Sequence, residues 1–131
     1  MDGFLVQQPF ADLLASGKKT WELRTQPVHL PRKPFYILAT KRPHPIAPSY
    51  DPARLGVVVG IAESDDVLGP FSVEELVKHQ DKHNTPLEAV RTYAKGRKLY
   101  AMRFVHARTV PVRPYRSKPG PVTIVSNVEL L

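Results

Sequence analysis

The chain has no cysteine, which excludes a disulfide framework, a thiolate zinc site and a thiol nucleophile. It has no apolar run close to the roughly 20 residues that a bilayer-spanning helix needs, so no membrane partner is expected. The opening Met1-Asp2-Gly3-Phe4 lacks the basic start and apolar stretch of a secretory leader, and a cytoplasmic protein is the simplest expectation. No serine sits in a nucleophile-elbow sequence, and no glycine-rich loop is suited to cradling phosphates. No repeat, low-complexity tract or linker divides the 131 residues, so one domain over residues 1–131 is expected. Acidic charge is also scarce. Twelve Asp and Glu against 19 Lys and Arg leave a net charge of +7, and no acid lies between Glu88 and Glu129. That interval holds Arg91, Lys95, Arg97, Lys98, Arg103, Arg108, Arg113, Arg116 and Lys118. Such a surplus favours a polyanionic partner, although a solvated basic face explains a scattered surplus equally well.

Proline, by contrast, is abundant. Fourteen prolines make for many loops and few long helices. Phe4 to Val6 reads as a first short strand. Pro9 suits the first turn of a helix, Phe10, Leu13 and Leu14 give that helix an apolar face, and Gly17 can end it. Phe35 to Ala39 reads as a strand, and the proline-rich run from Lys41 to Arg54 as a long loop. Gly56 to Ala62 is nearly all apolar, as a doubly buried strand would be, with Gly56 and Gly60 placed to bend a sheet towards closure. Glu63 with Asp65-Asp66 then reads as a solvated turn. Ser72 to Glu75 forms a capping box with Phe71 and Leu76 as its staple. Thr85 to Glu88 repeats the box, in a helix ending at Gly96. Lys98 to Thr109 alternates as a long strand, Val110 to Pro121 is proline-broken and basic, and Val122 to Val125 closes the set. The expected fold is α+β, a small, mostly antiparallel β-barrel with peripheral helices.

The most unusual stretch is Gly17-Lys18-Lys19-Thr20-Trp21-Glu22-Leu23-Arg24. In a strand, Trp21 and Leu23 point one way while Thr20, Glu22 and Arg24 point the other. One face can then feed a core while the other carries an acid, a base and a hydroxyl. Strand alternation puts Lys19 with Trp21, so a turn at Gly17-Lys18 is needed to bring it beside Glu22. Either these charges brace the helix–strand junction, or they line a pocket in which Lys19 and Arg24 meet phosphate or carbonyl oxygen and Glu22 accepts base amino protons.

Gln8 to Arg24, with its G-x-K-x-x-E-x-R pattern at Gly17, Lys19, Glu22 and Arg24, resembles the opening of an ASCH domain, the module also found in the activating signal cointegrator family. Phe35 to Thr40 with Lys41-Arg42-Pro43 is similar to the family's next strand and its basic end. Gly56 to Asp66 resembles its long apolar strand, and Pro114-Tyr115 with Lys118 and Gly120 its last loop. The resemblance implies a PUA-like β-barrel with a nucleic-acid cleft beside the motif, lined or supported by Lys19, Glu22 and Arg24. A bacterial branch of the family hydrolyses N4-acetylcytidine with a lysine, a threonine and a glutamate. Here Lys19 is retained, but Glu22 stands at the threonine's position.

The leading expectation is therefore a nucleic-acid-binding module for RNA or another single strand. Lys41, Arg42, Arg103, Arg113, Arg116 and Lys118 would meet phosphates. Tyr115, between Arg113 and Arg116, would stack on a base, whereas the lone tryptophan, Trp21, reads as core. The alternatives are an amidohydrolase on a modified nucleoside or a nuclease, with Lys19 as general base beside Glu22, and a protein-interaction module. His79 and His83 lack a third ligand nearby and read as a surface pair. No metal and no cofactor is expected.

Overall fold

The computed structural model describes residues 1–117 and 122–131. Its elements are β1 (Gly3–Val6), α1 (Phe10–Ala15), β2 (Trp21–Arg24), β3 (Phe35–Ala39), a 3-10 turn at Pro52–Arg54, β4 (Val57–Phe71), α2 (Val73–Val77), α3 (Gln80–His83), α4 (Leu87–Ala94), β5 (Leu99–Pro114) and β6 (Ile124–Val125). The strands form one six-stranded sheet in the order β2-β5-β4-β3-β1-β6. Every pairing is antiparallel except that of β1 with β3. No helix among the described residues is long and apolar enough to cross a membrane.

The long strands β4 and β5 are the spine, and their register shifts at four places. Each shift adds local twist and bend, so the sheet curls. Curling brings β2 towards β1, from opposite parts of the strand order. The curl does not become the expected barrel, because no ladder joins β2 to β1 or β6 among the described residues. Instead a side chain spans the seam: Arg24 Nη2 donates to the Leu5 carbonyl at 2.9 Å, and its guanidinium lies 4.7 Å from the centre of the Phe4 ring.

Alternation assigns both faces of the curled sheet. Met102 and Phe104 join Phe4, Phe10, Leu14 and Ile37 in one cluster beneath α1. Leu99, Ala101, Trp21 and Leu23 join Leu76 and Val90 in another, beneath α2 and α4. Trp21 is thus core, stacked on Phe71 with centroids 5.4 Å apart. Gly60 is required by close approach rather than by a bend. A Cβ there would lie 2.6 Å from the Ala15 Cβ and 2.8 Å from the Arg108 carbonyl oxygen, so glycine lets α1 rest on β4.

Several expectations change. β4 runs on past Ala62, because Glu63 and Asp65 acquire partners on β5: His106 at 3.0 Å and Arg103 at 2.9 Å. β5 runs past Thr109 despite Pro111 and Pro114. β2 pairs with it only from Tyr100 to Arg103, so beyond that point a missing N–H on that edge costs no ladder bond. The capping box at Ser72 forms as expected, but the one at Thr85 does not. The N-cap there is Pro86, and the Thr85 hydroxyl donates instead to the His83 carbonyl at 2.9 Å. Three helices stand where two were expected. His83 is not a surface residue: it is buried, with its Nε2 2.8 Å from the Leu76 carbonyl and its Nδ1 accepting the Thr85 N–H at 3.1 Å. Those two bonds require the neutral ring with its proton on Nε2, and burial lowers its pKa in the same direction. His79 packs on Trp21, with ring centroids 4.8 Å apart.

Candidate functional site

The seam that the sheet leaves open is a cleft of about 270 Å³. Its walls come from β1 (Leu5, Val6), the following Gln7, β2 (Glu22, Leu23, Arg24), α1 (Phe10) and α4 (Ala89, Val90, Tyr93), with Thr40, His44, Thr85 and Val122 from loops. The motif therefore lines the place where two strands fail to pair.

Lys19 is the hub of the site. Gly17, at φ +80°, turns the chain so that the lysine enters beside Glu22 instead of following Trp21. The side chain is 1% exposed. Its Nζ donates to the His83 carbonyl at 2.6 Å and to Thr85 Oγ1 at 3.0 Å, lies 3.6 Å from Glu22 Oε1, and sits 5.1 Å from the centre of the Phe10 ring. Burial drives its pKa down to about 8, with Arg24 assisting and Glu22 opposing. Removal from water disfavours the ammonium form, and one carboxylate does not make up the loss.

Glu22 Oε2 accepts from Arg24 Nε at 3.2 Å and Nη2 at 2.9 Å. These bonds occupy one carboxylate oxygen and leave Oε1 with only the longer contact to Lys19. Lys19 gives its short hydrogen bonds to protein groups, whereas Arg24 commits Nε and Nη2 and leaves Nη1 without a protein partner among the described residues; both cations line the cleft with Glu22. Their carboxylate partner adds an acceptor between them, with Oε1 engaged only by Lys19 at 3.6 Å.

A second cluster fixes one wall. Arg54 donates from Nε and Nη2 to Asp12 on α1, both at 2.8 Å, and the Tyr50 hydroxyl donates to the same carboxylate. Burial opposes ionisation of Asp12, but these bonds outweigh it and lower its pKa. Buried Gln8 donates to the Arg54 carbonyl at 3.1 Å and accepts the Asp12 N–H at 2.9 Å. The Gln8 carbonyl takes the His44 N–H at 2.8 Å. The proline-rich loop is thereby pinned along α1, with His44 edge-on to Phe10 at 5.4 Å.

The remaining expected residues divide. Lys41 and Arg42 are exposed and follow Thr40, which lines the cleft. They make no ion pair among the described residues. Arg113 and Arg116 lie near the same end of the sheet, since β5 pairs there with the start of β4, but Arg113 donates to the Leu131 carbonyl at 3.3 Å and Arg116 is paired with Glu129 at 2.9 Å. Arg103 does not line the cleft and is held by Asp65. Tyr115 is no stacking platform: it is 6% exposed, and its hydroxyl donates to the Ala39 carbonyl at 2.9 Å. Lys118 lies outside the described residues. Sequence reasoning missed Thr85, Tyr93 and His44. Only the capping pattern drew attention to Thr85, and it gave the wrong partner. No cluster among the described residues could hold a metal ion.

The family model of the ASCH domain matches residues 5–113. Among solved structures, the ASCH protein of Zymomonas mobilis superposes with a TM-score of 0.71 at 19% identity, over 95% of this chain and 85% of that one. A point mutant of the same protein superposes at 0.64 with 22% identity, over 86% and 74%. No curated protein matches the chain.

Proposed function

The chain belongs to the ASCH domain family, and we propose that it is a cytoplasmic module with the family's PUA-like fold that binds single-stranded nucleic acid, RNA above all, by seating one unpaired base in the seam cleft. The observation that carries this reading is the Glu22 carboxylate in the wall of a 270 Å³ cavity, its Oε1 held only by the 3.6 Å ion pair with Lys19. Flanked by Lys19 and Arg24, this carboxylate can accept a further hydrogen bond from a donor in the cleft. A base offers amino or imino protons at its edge and apolar faces to walls such as Val90 and Leu23. The cavity lies at the small end of ligand sites, so it accommodates a base and not a duplex. Lys41 and Arg42, exposed beside Thr40, are placed for the flanking phosphates.

Titration of short single-stranded and duplex RNA at low and moderate salt tests the proposal. The expected result is preference for the single strand, with affinity falling by about 0.7 log units per log unit of salt for each phosphate contact. Equal binding of both forms, or a flat salt response, refutes it.

A second reading is favoured by one contact, the 3.0 Å between Lys19 Nζ and Thr85 Oγ1. The hydroxyl that Glu22 displaces from the motif is supplied here from the loop before α4. A lysine with a pKa near 8 is partly neutral at physiological pH and can take the Thr85 proton once that hydroxyl turns from the His83 carbonyl. Amide hydrolysis on an N4-acetylcytidine-type nucleoside would use Thr85 as nucleophile and Lys19 as base. Turnover that is lost in both Thr85→Val and Lys19→Met supports it; absence of turnover in the unmodified protein removes it.

A further inference from the structure

The motif accounts for the charged wall of the cleft but not for its one exposed aromatic. Tyr93 stands on α4 a turn beyond Ala89 and Val90, and all three line the cleft. Ala89 and Val90 are buried, whereas Tyr93 keeps 41% of its surface exposed. Its hydroxyl accepts the Thr25 N–H at 3.3 Å, which ties the ring to the end of β2 one residue past Arg24. Val122, 39% exposed, lies on the same cleft. An anchored, part-exposed aromatic beside small apolar side chains offers a flat π surface at little cost in lost side-chain freedom.

We infer that Tyr93 is the stacking platform for the unpaired RNA base that the cleft receives. The inference rests on the nucleic-acid reading above and adds to it the residue that holds the base by its face. Two chemistries must be met together: an apolar, polarisable face for Tyr93, and a proton donor at the edge for Glu22 Oε1. An aliphatic side chain supplies the first but no donor at its edge; a phosphate diester supplies neither. A nucleobase supplies both, and the net charge of +7 favours the polyanion that carries it. Sequence reasoning assigned the stacking role to Tyr115, whose ring is buried in a different cluster.

The test is the binding of a fluorescent single-stranded RNA to the whole chain and to its Tyr93→Phe, Tyr93→Leu and Tyr93→Ala variants, across a salt series. Base–aromatic stacking predicts a loss of about tenfold or more for Ala and for Leu, and less than about threefold for Phe. The salt slope should stay unchanged, because no phosphate contact is removed. An Ala variant within about twofold of the unmodified protein overturns the platform while leaving the nucleic-acid reading intact. So does a Leu variant that binds as well as Phe, since apolar bulk and not stacking would then suffice. If the unmodified chain itself fails to bind, both fall together.

Discussion

The buried lysine gives the sharpest quantitative expectation. Lys19 titrates near pH 8 in the folded protein against 10.5 when unperturbed. Between those values the unfolded chain holds a proton that the folded one has released, so stability rises with pH. A displacement of that size corresponds to a span of about 3 kcal/mol, most of it falling between pH 7 and pH 10. The side chain is almost wholly buried, so solvent screening takes little from this figure. Tyr50 and Tyr115, both pushed up to about 12, act in the opposite sense. Their native forms stay neutral while the unfolded phenols ionise, so they cost stability only above about pH 10. Urea unfolding of the unmodified chain and of Lys19→Met at several pH values from 7 to 10 isolates the lysine by difference. The expected outcome is a rise for the unmodified chain of about 2–3 kcal/mol beyond that of the variant. Parallel curves would show that Lys19 titrates normally and that the burial argument is wrong.

Other substitutions test the scaffold and the rim. Thr85→Val leaves a Lys19 N–H without its acceptor in a dry site and should cost about 1–3 kcal/mol in urea unfolding. Gly60→Val forces Cβ and its methyls against Ala15 and the Arg108 carbonyl; a loss of about 1–3 kcal/mol or more is expected from overpacking, seen as a lower melting temperature. Replacing Lys41 and Arg42 together by alanine removes no buried contact, so stability should hold while the salt slope for single-stranded RNA flattens by about 1.4. Ser72→Ala deletes the reciprocal cap of α2 and should cost about 1 kcal/mol with RNA binding unchanged.

The elements were legible wherever a local rule governs them. Phe35 to Ala39, the capping box at Ser72, the core role of Trp21 and the alternation of Met102 with Phe104 all follow from periodicity or from side-chain chemistry within a few residues. The motif and the match across residues 5–113 gave the family, and with it the expectation that the site lies beside Glu22. What failed was whatever depended on a distant partner. Asp65 read as solvated because Arg103 is 38 residues away, Pro111 read as a strand breaker because β2's short reach was invisible, and Thr85 read as a helix cap because its hydroxyl is held between the His83 carbonyl and the amine of Lys19. Tyr115 read as a loop aromatic until the Ala39 carbonyl took its hydroxyl.

By itself, then, the sequence determined the order of the strands, the first helix and the cap of α2, the basic charge and the residues of the charged motif, because each is encoded within a turn or two of chain. Tertiary structure alone decided that the curled sheet stops short of closing, that Lys19, Glu22 and Arg24 meet at the seam, and that Tyr93 and not Tyr115 stands at the cleft. Those outcomes depend on how much water each group loses and on which partner meets it across the fold, and neither quantity is written in neighbouring residues.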